Sequence, residues 1–340
     1  LPWEYAVRNL FRRPLRSLLT LVGLTTVIVL VLVVVGFIRG LERSLAVTGD
    51  PRVALVFSLG MGENLEYSSI AMRSSDLLPA SLNVIAERHG RKSVSPELYL
   101  GTQVGVGDEG ELSMGLVRGV TRRILAVRRS IQLEEGKWPG PGEVIVGRMV
   151  AAKLGTTGEE LSVGQVLRFE GRKWQVSGVF SAGGGAFESE AWCRLDELQT
   201  AMSRQDLSLV AVTLEKSEGF AELDLFCRER LDLELQAMKE RDYYSALNRD
   251  YGPVRMLAWL VVCLVSGAGI FAGLNTMYAS VLGRVRELAA LQTIGFVRRA
   301  VVVSLLEEGL LLAAAASLLG VGLVLTGLSG ASVRFTMGAF

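Results

Sequence analysis

Three charge-free runs constrain this chain more than any other feature. Ser17–Ile38 and Met256–Gly283 contain no Asp, Glu, Lys or Arg, and a third apolar core extends from about Gly309 to Gly327. As helices rising 1.5 Å per residue, such runs cover roughly the ~30 Å hydrocarbon core of a bilayer. Each is therefore predicted to span a membrane. The first is too long for the apolar region of a signal peptide and lacks a small-x-small cleavage site after it, so it stays as an anchor. Half of the residues are hydrophobic, yet 21% are charged. That balance fits a membrane protein carrying a soluble domain, not a chain that is all bilayer or all globule.

The basic cluster Arg8, Arg12, Arg13 and Arg16 places the N-terminal flank in the cytoplasm, and the four arginines of loop 283–300 support the same orientation. Arg39, Arg43 and Arg52 on the other side weaken the asymmetry. Trp3, Ala6, Val7, Leu10 and Phe11 recur at helical spacing with Arg8 and Arg12 on another side. This predicts an interfacial helix over 1–16, with its apolar face in the lipid boundary; a frayed start of the first span is the plainer alternative. Pro14 is well placed to open a new helix.

The polar insert, 44–250, alternates short strand-like runs with helical stretches. Strands are predicted at Val53–Leu59, Val94–Leu100, Leu112–Val120, Glu143–Val146, Val166–Phe169, Trp174–Phe180, Glu190–Leu195 and Leu207–Leu214. Helices are predicted at Asp76–Arg88, Arg122–Leu133, Asp196–Met202 and Glu218–Lys239. Glu170-Gly171-Arg172 between two alternating runs is a hairpin signal. Together these imply an α+β domain, possible in two lobes. Gly183-Gly184-Gly185 reads as a mobile loop, since no helix with Lys-Ser/Thr follows to make a phosphate cradle.

In the second span, Gly269 and Gly273 form a GxxxG, and Ala313, Ser317 and Gly320 offer a small-residue face on the third; small residues let helices approach closely in lipid. Asn275 and Thr276 are polar near the inner end and are expected to bond to a neighbouring helix. Glu307 and Glu308 lie too shallow for a proton relay and can reach headgroup water or nearby arginines.

Between these spans lies an unusual segment. Arg284-Val285-Arg286-Glu287 is followed by the apolar turn Leu288-Ala289-Ala290-Leu291, and Ile294-Gly295 supplies a helix stop. A tight turn between membrane helices needs no apolar surface of its own, so this one has the character of a surface held by a second protein. Asn275-Thr276-Met277, Arg284, Glu287-Leu288, Leu291, Ile294-Gly295 and Glu308-Gly309 resemble the same region of the MacB/FtsX-type ABC permeases; Gln292-Thr293 depart from it, which leaves the polarity of the contact open. Val94-Ser95-Pro96, Leu116–Val120, Gly136-Lys137-Trp138, Val163–Leu167 and Val176–Phe180 follow the order of the family's extracytoplasmic domain, and the insert has the size found in its MacB-like or lipoprotein-releasing branch.

The resemblance implies an α-helical membrane protein with an inserted α+β extracytoplasmic domain. Its parts would be spans at 17–40, 255–283 and 300–328, a coupling helix at 284–299, and an outer loop at 329–340 leading to a fourth span beyond residue 340. The chain begins at Leu1 rather than Met, so its true N-terminus is expected to lie outside this sequence. The family's function would make Arg284, Arg286, Glu287, Leu288, Leu291, Ile294 and Gly295 the contact with a cytoplasmic ABC ATPase dimer, which would hold the ATP and Mg; no cofactor is expected in this chain. A second permease copy or homologue, a periplasmic adaptor, and a lipoprotein or drug cargo are the other implied partners, in a bacterial inner membrane with the N-terminus cytoplasmic. FtsX-like control of a cell-wall hydrolase is the alternative within the family, and a membrane-anchored sensor without an ATPase the alternative outside it.

Other functions find no residues to rest on. Leu161-Ser162-Val163-Gly164-Gln165 looks like an ABC ATPase signature, but no Walker motif accompanies it. His89 is the sole histidine, and no H-E-x-x-H or G-x-S-x-G occurs, so the chain is not expected to be an enzyme or to hold a metal. A net charge of +1 without a basic, aromatic-interleaved stripe gives no sign of nucleic-acid binding. Cys263 lies in an apolar run. Cys193 and Cys227 could pair in an exported domain, or Cys227 could be a buried thiol beside Phe220, Leu223 and Leu231.

Overall fold

The computed structural model describes residues 8, 10–12, 14–62, 64–88, 90–108, 110–156 and 161–327. Most of the predicted interfacial helix, His89, and the predicted outer loop with its following span lie outside them. The chain divides into two compact units: the described residues up to Gly40 together with those from Gly252 on, and Leu41–Tyr251.

Among the described residues three helices are long and apolar enough to cross a membrane, the first of them continuing past Gly40 into the second unit. This first one, α1, runs Pro14–Thr48, its membrane-type part being Ser17–Thr48, and residues 8 and 10–12 ahead of it are also helical. Pro14 starts it, where the missing N–H costs nothing. The other two are Gly252–Leu282 and Arg298–Gly327, with a nine-residue helix, Val285–Thr293, between them. Gly295 has φ +105°, a left-handed conformation that Gly adopts without strain.

The second unit is built on a ten-stranded, largely antiparallel sheet. Its strands, with two short pairs off the sheet, are β1 (Val53–Ser58), β2 (Ile70–Ala71), β3 (Glu87–Arg88), β4 (Arg91–Lys92), β5 (Val94–Val106), β6 (Leu112–Val120), β7 (Gln132–Gly136), β8 (Glu143–Gly147), β9 (Val166–Phe169), β10 (Arg172–Ser181), β11 (Glu190–Arg194), β12 (Asp206–Leu207), β13 (Leu209–Thr213) and β14 (Leu235–Lys239). The path runs β14-β1-β13-β5-β6-β11-β8-β10-β7, with β9 against β10 and β5. Long β5 joins the two halves: Val94–Glu97 pair with β13, and Leu98–Gly105 with β6.

Both faces of the central strands are covered, which is why they read as continuous apolar runs rather than alternations. In β1, Ala54 and Val56 enter one core, while Val53, Leu55 and Phe57 enter the other. Trp192 of β11 packs on the second face and its neighbours Ala191 and Cys193 on the first. The first face is closed by α2 (Ser74–Ser81), α4 (Val150–Leu154), α5 (Leu195–Ala201) and α6 (Phe220–Glu229). The second is closed by Leu45 near the end of α1, by α3 (Ile124–Val127) and by α7 (Glu240–Asp250). The later helices are α8 (Gly252–Leu282), α9 (Val285–Thr293) and α10 (Arg298–Gly327).

Several predicted elements end early. The helix predicted over Glu218–Lys239 stops at Glu229; Glu234, at φ +47°, turns the chain, and Leu235–Lys239 becomes an edge strand on β1. The helix predicted to Leu133 ends at Val127, and Gln132–Gly136 pair with β10. The helix predicted over Asp76–Arg88 ends at Ser81, because Ile85 bridges to Leu214 and the β3–β4 hairpin follows. In each case a helical spacing of apolar residues is met by extended chain whose backbone bonds a neighbouring strand. The Glu170-Gly171 hairpin forms as predicted, with both residues at positive φ, +49° and +68°.

Candidate functional site

In the membrane unit, α9 is fixed at its start. Arg284, just before it, is buried to 5% exposure and donates through Nη1 and Nη2 to the two Glu308 oxygens at 3.1 and 3.2 Å. This bidentate pair, the stronger kind of ion pair, ties the N-terminal end of α9 to α10. A Cβ on Gly309 beside it would make an ordinary van der Waals contact with Met277 of α8. Glu308 thus meets one of the arginines named for it from sequence, and Arg284 is largely withdrawn from solvent.

Beyond that anchor the segment is open. Arg286, Glu287 and Gly295 are exposed, as are Val285 (52%) and Ile294 (75%). Phe296 and Val297 continue the apolar surface, next to exposed Arg298 and Arg299. Leu288 and Leu291 belong to the backbone of α9, but their side chains lie outside the described residues. Among the small residues, Gly269 faces Val27 and Gly320 faces Ile28, each with room for little more than hydrogen. Gly273 has open space around it, and Ala313 and Ser317 are exposed, whereas Ala316 is fully buried. Thr276 donates to the Ala272 carbonyl of its own helix.

The outer domain holds a second constellation, not anticipated from the sequence. Five charged side chains lie buried together: Glu97 of β5, Arg118 of β6, Arg128 after α3, Glu190 of β11 and Glu240, the first residue of α7. Arg118 donates to both Glu190 oxygens at 2.6 and 2.7 Å and to Glu97 at 2.7 Å. Arg128 donates to the other Glu97 oxygen and lies 3.0 Å from Glu240. Trp192 Nε1 donates to Glu190 at 2.8 Å. Arg118 also sits over the rings of Tyr99 and Phe187, and Arg128 over Phe187. Burial pushes Glu97 up, but Arg128 and Arg118 outweigh it and hold its carboxyl below the usual range. Burial dominates at Glu240 and holds it above that range, despite Arg128.

This cluster adjoins the place where the chain enters and leaves the domain. Asp50 N–H donates to Glu240 at 3.3 Å, and a Cβ on Gly49 would lie 2.6 Å from the Arg241 Cα. The Ala186 amide donates to Thr48 Oγ1 at 2.7 Å. The adjoining Gly183-Gly184-Gly185 is a built turn rather than a loose loop: Glu188 accepts the Ala182 and Gly184 amides at 2.8 Å and Arg148 at 2.7 Å. Leu161–Gln165 forms a turn ahead of β9. Cys193 and Cys227 are free and buried, not bridged; burial pushes Cys227 up to about 12. A charge inside an apolar strand, such as Glu97 in Val94–Leu100 or Arg118 in Leu112–Val120, was the available signal for the cluster.

A family model described as the MacB-like periplasmic core domain matches residues 17–223. The chain belongs to this family, and with its membrane-type helices it is a MacB-like ABC transporter permease with an extracytoplasmic α+β domain. It is similar to an uncharacterized ABC transporter permease, YknZ, of Bacillus subtilis (strain 168), at 20% identity over 94% of this chain and 83% of that protein. Among solved structures it is similar to the periplasmic region of MacB from Actinobacillus actinomycetemcomitans (TM-score 0.44, 13% identity, 61% of this chain and 97% of that one). The extracellular domain of YknZ from Gram-positive bacteria is also similar (TM-score 0.41, 16% identity, 55% and 99%).

Proposed function

We propose that this chain is the membrane subunit of an ABC complex that transmits motion across the bilayer. ATP and Mg bind in a separate cytoplasmic ATPase dimer, and this chain needs no cofactor. A second permease copy or a homologue completes the pair. ATP brings the two α9 helices together, and the spans pass that motion to the outer domain. There it drives export or extraction of a lipophilic cargo such as a lipoprotein or drug, alone or through a periplasmic adaptor. The N-terminus and α9 lie in the cytoplasm, and the outer domain lies beyond the inner membrane.

The observation that carries this reading is α9: a short helix anchored at Arg284–Glu308 that leaves Val285, Ile294, Phe296 and Val297 exposed beside Arg286, Glu287, Arg298 and Arg299. Apolar surface rimmed by both signs of charge marks a protein interface. The test is purification of the intact protein from its own membrane in mild detergent. A Walker-motif ATPase should co-purify stoichiometrically, and its absence would leave the membrane-anchored sensor as the better reading.

A further inference from the structure

The five buried charges do not balance. Three carboxylates, Glu97, Glu190 and Glu240, face two guanidiniums, Arg118 and Arg128. Net charge in a buried site is costly, and a proton on one carboxylate removes it. Geometry singles out which one. Glu97 accepts from both arginines, and Glu190 accepts two bonds from Arg118 and one from Trp192. Glu240 has only the Asp50 amide at 3.3 Å and Arg128 Nη2 at 3.0 Å, the latter without hydrogen-bond alignment, so that Oε1 is left without a hydrogen bond.

The charged and titratable groups facing Glu240 are Arg128 and, behind it, Glu97 and Arg118, with Tyr244 and Tyr243 on its own helix. Tyr99 and Glu190 complete the cluster. Lys153 of α4 acts on Glu190 and Glu66. Glu240 also occupies a particular place in the chain. It stands at the crossing where Gly49, just after α1, meets the Arg241 backbone at the start of α7 and the Asp50 amide donates to Glu240 itself. The chain passes from α7 through Tyr251 into α8.

We infer that Glu240 is a proton-operated latch: protonated, it closes the crossing between the segments that enter and leave the outer domain, and ionised, it loosens that crossing. Opening admits water to the carboxyl, returns it to ordinary acidity and releases the proton. The direction agrees with the carboxyl being held above its ordinary range in the closed domain by burial. A group so shifted contributes stability below its ordinary pKa and loses it as pH rises through the folded one. Each pH unit within that window changes the opening equilibrium by up to about tenfold. The latch resides wholly in the outer domain and does not depend on which ATPase, if any, docks at α9.

The experiment is hydrogen exchange of the full-length protein in lipid nanodiscs across pH, corrected for intrinsic exchange, read at Thr48–Arg52 and Glu240–Tyr244. In the wild type, protection there should fall as pH rises above the ordinary glutamate range, by up to about tenfold per unit. Glu240→Gln, which imitates the protonated form, should stay protected as pH rises through that window. Identical pH profiles in the two proteins, or a segment opened by Glu240→Gln, would overturn the latch, the latter by making the ionised pair with Arg128 the fastening. Infrared titration should show a carboxylic acid band that persists above the ordinary range in the wild type and is missing from Glu240→Gln. A persisting band that Glu240→Gln leaves unchanged, or no such band, would equally overturn the proposal.

Discussion

Arg284 and Glu308, 24 residues apart, meet in a two-pronged ion pair with separations of 3.1 and 3.2 Å. The pair joins the start of α9 to α10 and turns a loop between membrane-type helices into a fixed platform. Removing either partner strands the other in a largely buried site. Arg284→Ala should therefore destabilise the membrane unit by an amount approaching the ~3–5 kcal/mol typical of a broken buried pair, while Arg284→Met with Glu308→Leu recovers most of it. Thermal unfolding of the two single variants and the double variant in one detergent measures this coupling.

Glu287 is exposed on the same helix and should behave oppositely. Glu287→Ala is expected to change stability by no more than about 0.5 kcal/mol. If a partner buries this carboxylate against a charge, the same substitution should weaken docking by about 2–5 kcal/mol. Titration of the isolated ATPase onto wild-type and variant permease separates the two effects. Unchanged affinity and unchanged coupled activity would reduce Glu287 to a solvated surface charge.

The glycines make a graded test. A Cβ at Gly49 would press on the Arg241 backbone at 2.6 Å, so Gly49→Ala should destabilise the outer domain by the ~1–3 kcal/mol of overpacking. At Gly320 the nearest atom is the Ile28 Cγ2 at 2.9 Å, a side-chain end that can shift, and the loss should be smaller. Gly273 has open space, so Gly273→Ala should be neutral or slightly stabilising within this chain. Melting temperatures of the three variants should rank in that order.

Acid should attack the outer domain through Glu97. Its carboxyl is held low because Arg128 and Arg118 outweigh the effect of burial. A depressed folded pKa contributes stability above the ordinary pKa that is lost as pH falls through the folded value. Unfolding below the ordinary carboxylate range should therefore steepen with acidity, and Glu97→Gln should remove that dependence. Its cost at neutral pH should be about 3–5 kcal/mol, since both arginines lose a partner. Denaturant unfolding at a series of pH values reads both quantities.

Much of this architecture was legible from local chemistry. Charge-free length marks the membrane-type helices, and Glu170-Gly171 announces its hairpin because the turn demands positive φ at both residues. The runs Leu112–Val120 and Val166–Phe169 coincide with β6 and β9. What escaped depends on contacts distant in sequence. Leu235–Lys239 has no strand alternation of its own and is extended because β1 offers an unpaired edge. Which arginine Glu308 takes, and that the pair withdraws Arg284 from solvent, is set by two residues 24 apart in sequence. Glu97, Arg118 and Glu240 come from three separate elements, so nothing in their spacing declares that they meet.

The central claim, that α9 couples an ATPase to the outer domain, is tested most directly by a photo-cross-linking residue at Ile294, the exposed position at the end of α9. Activated in native membranes, it should form an adduct with a Walker-motif ATPase subunit, and the yield should fall when Glu287 is changed to Ala. An adduct only with proteins from the far side of the membrane, or no ATPase adduct from a correctly inserted protein, would contradict the account.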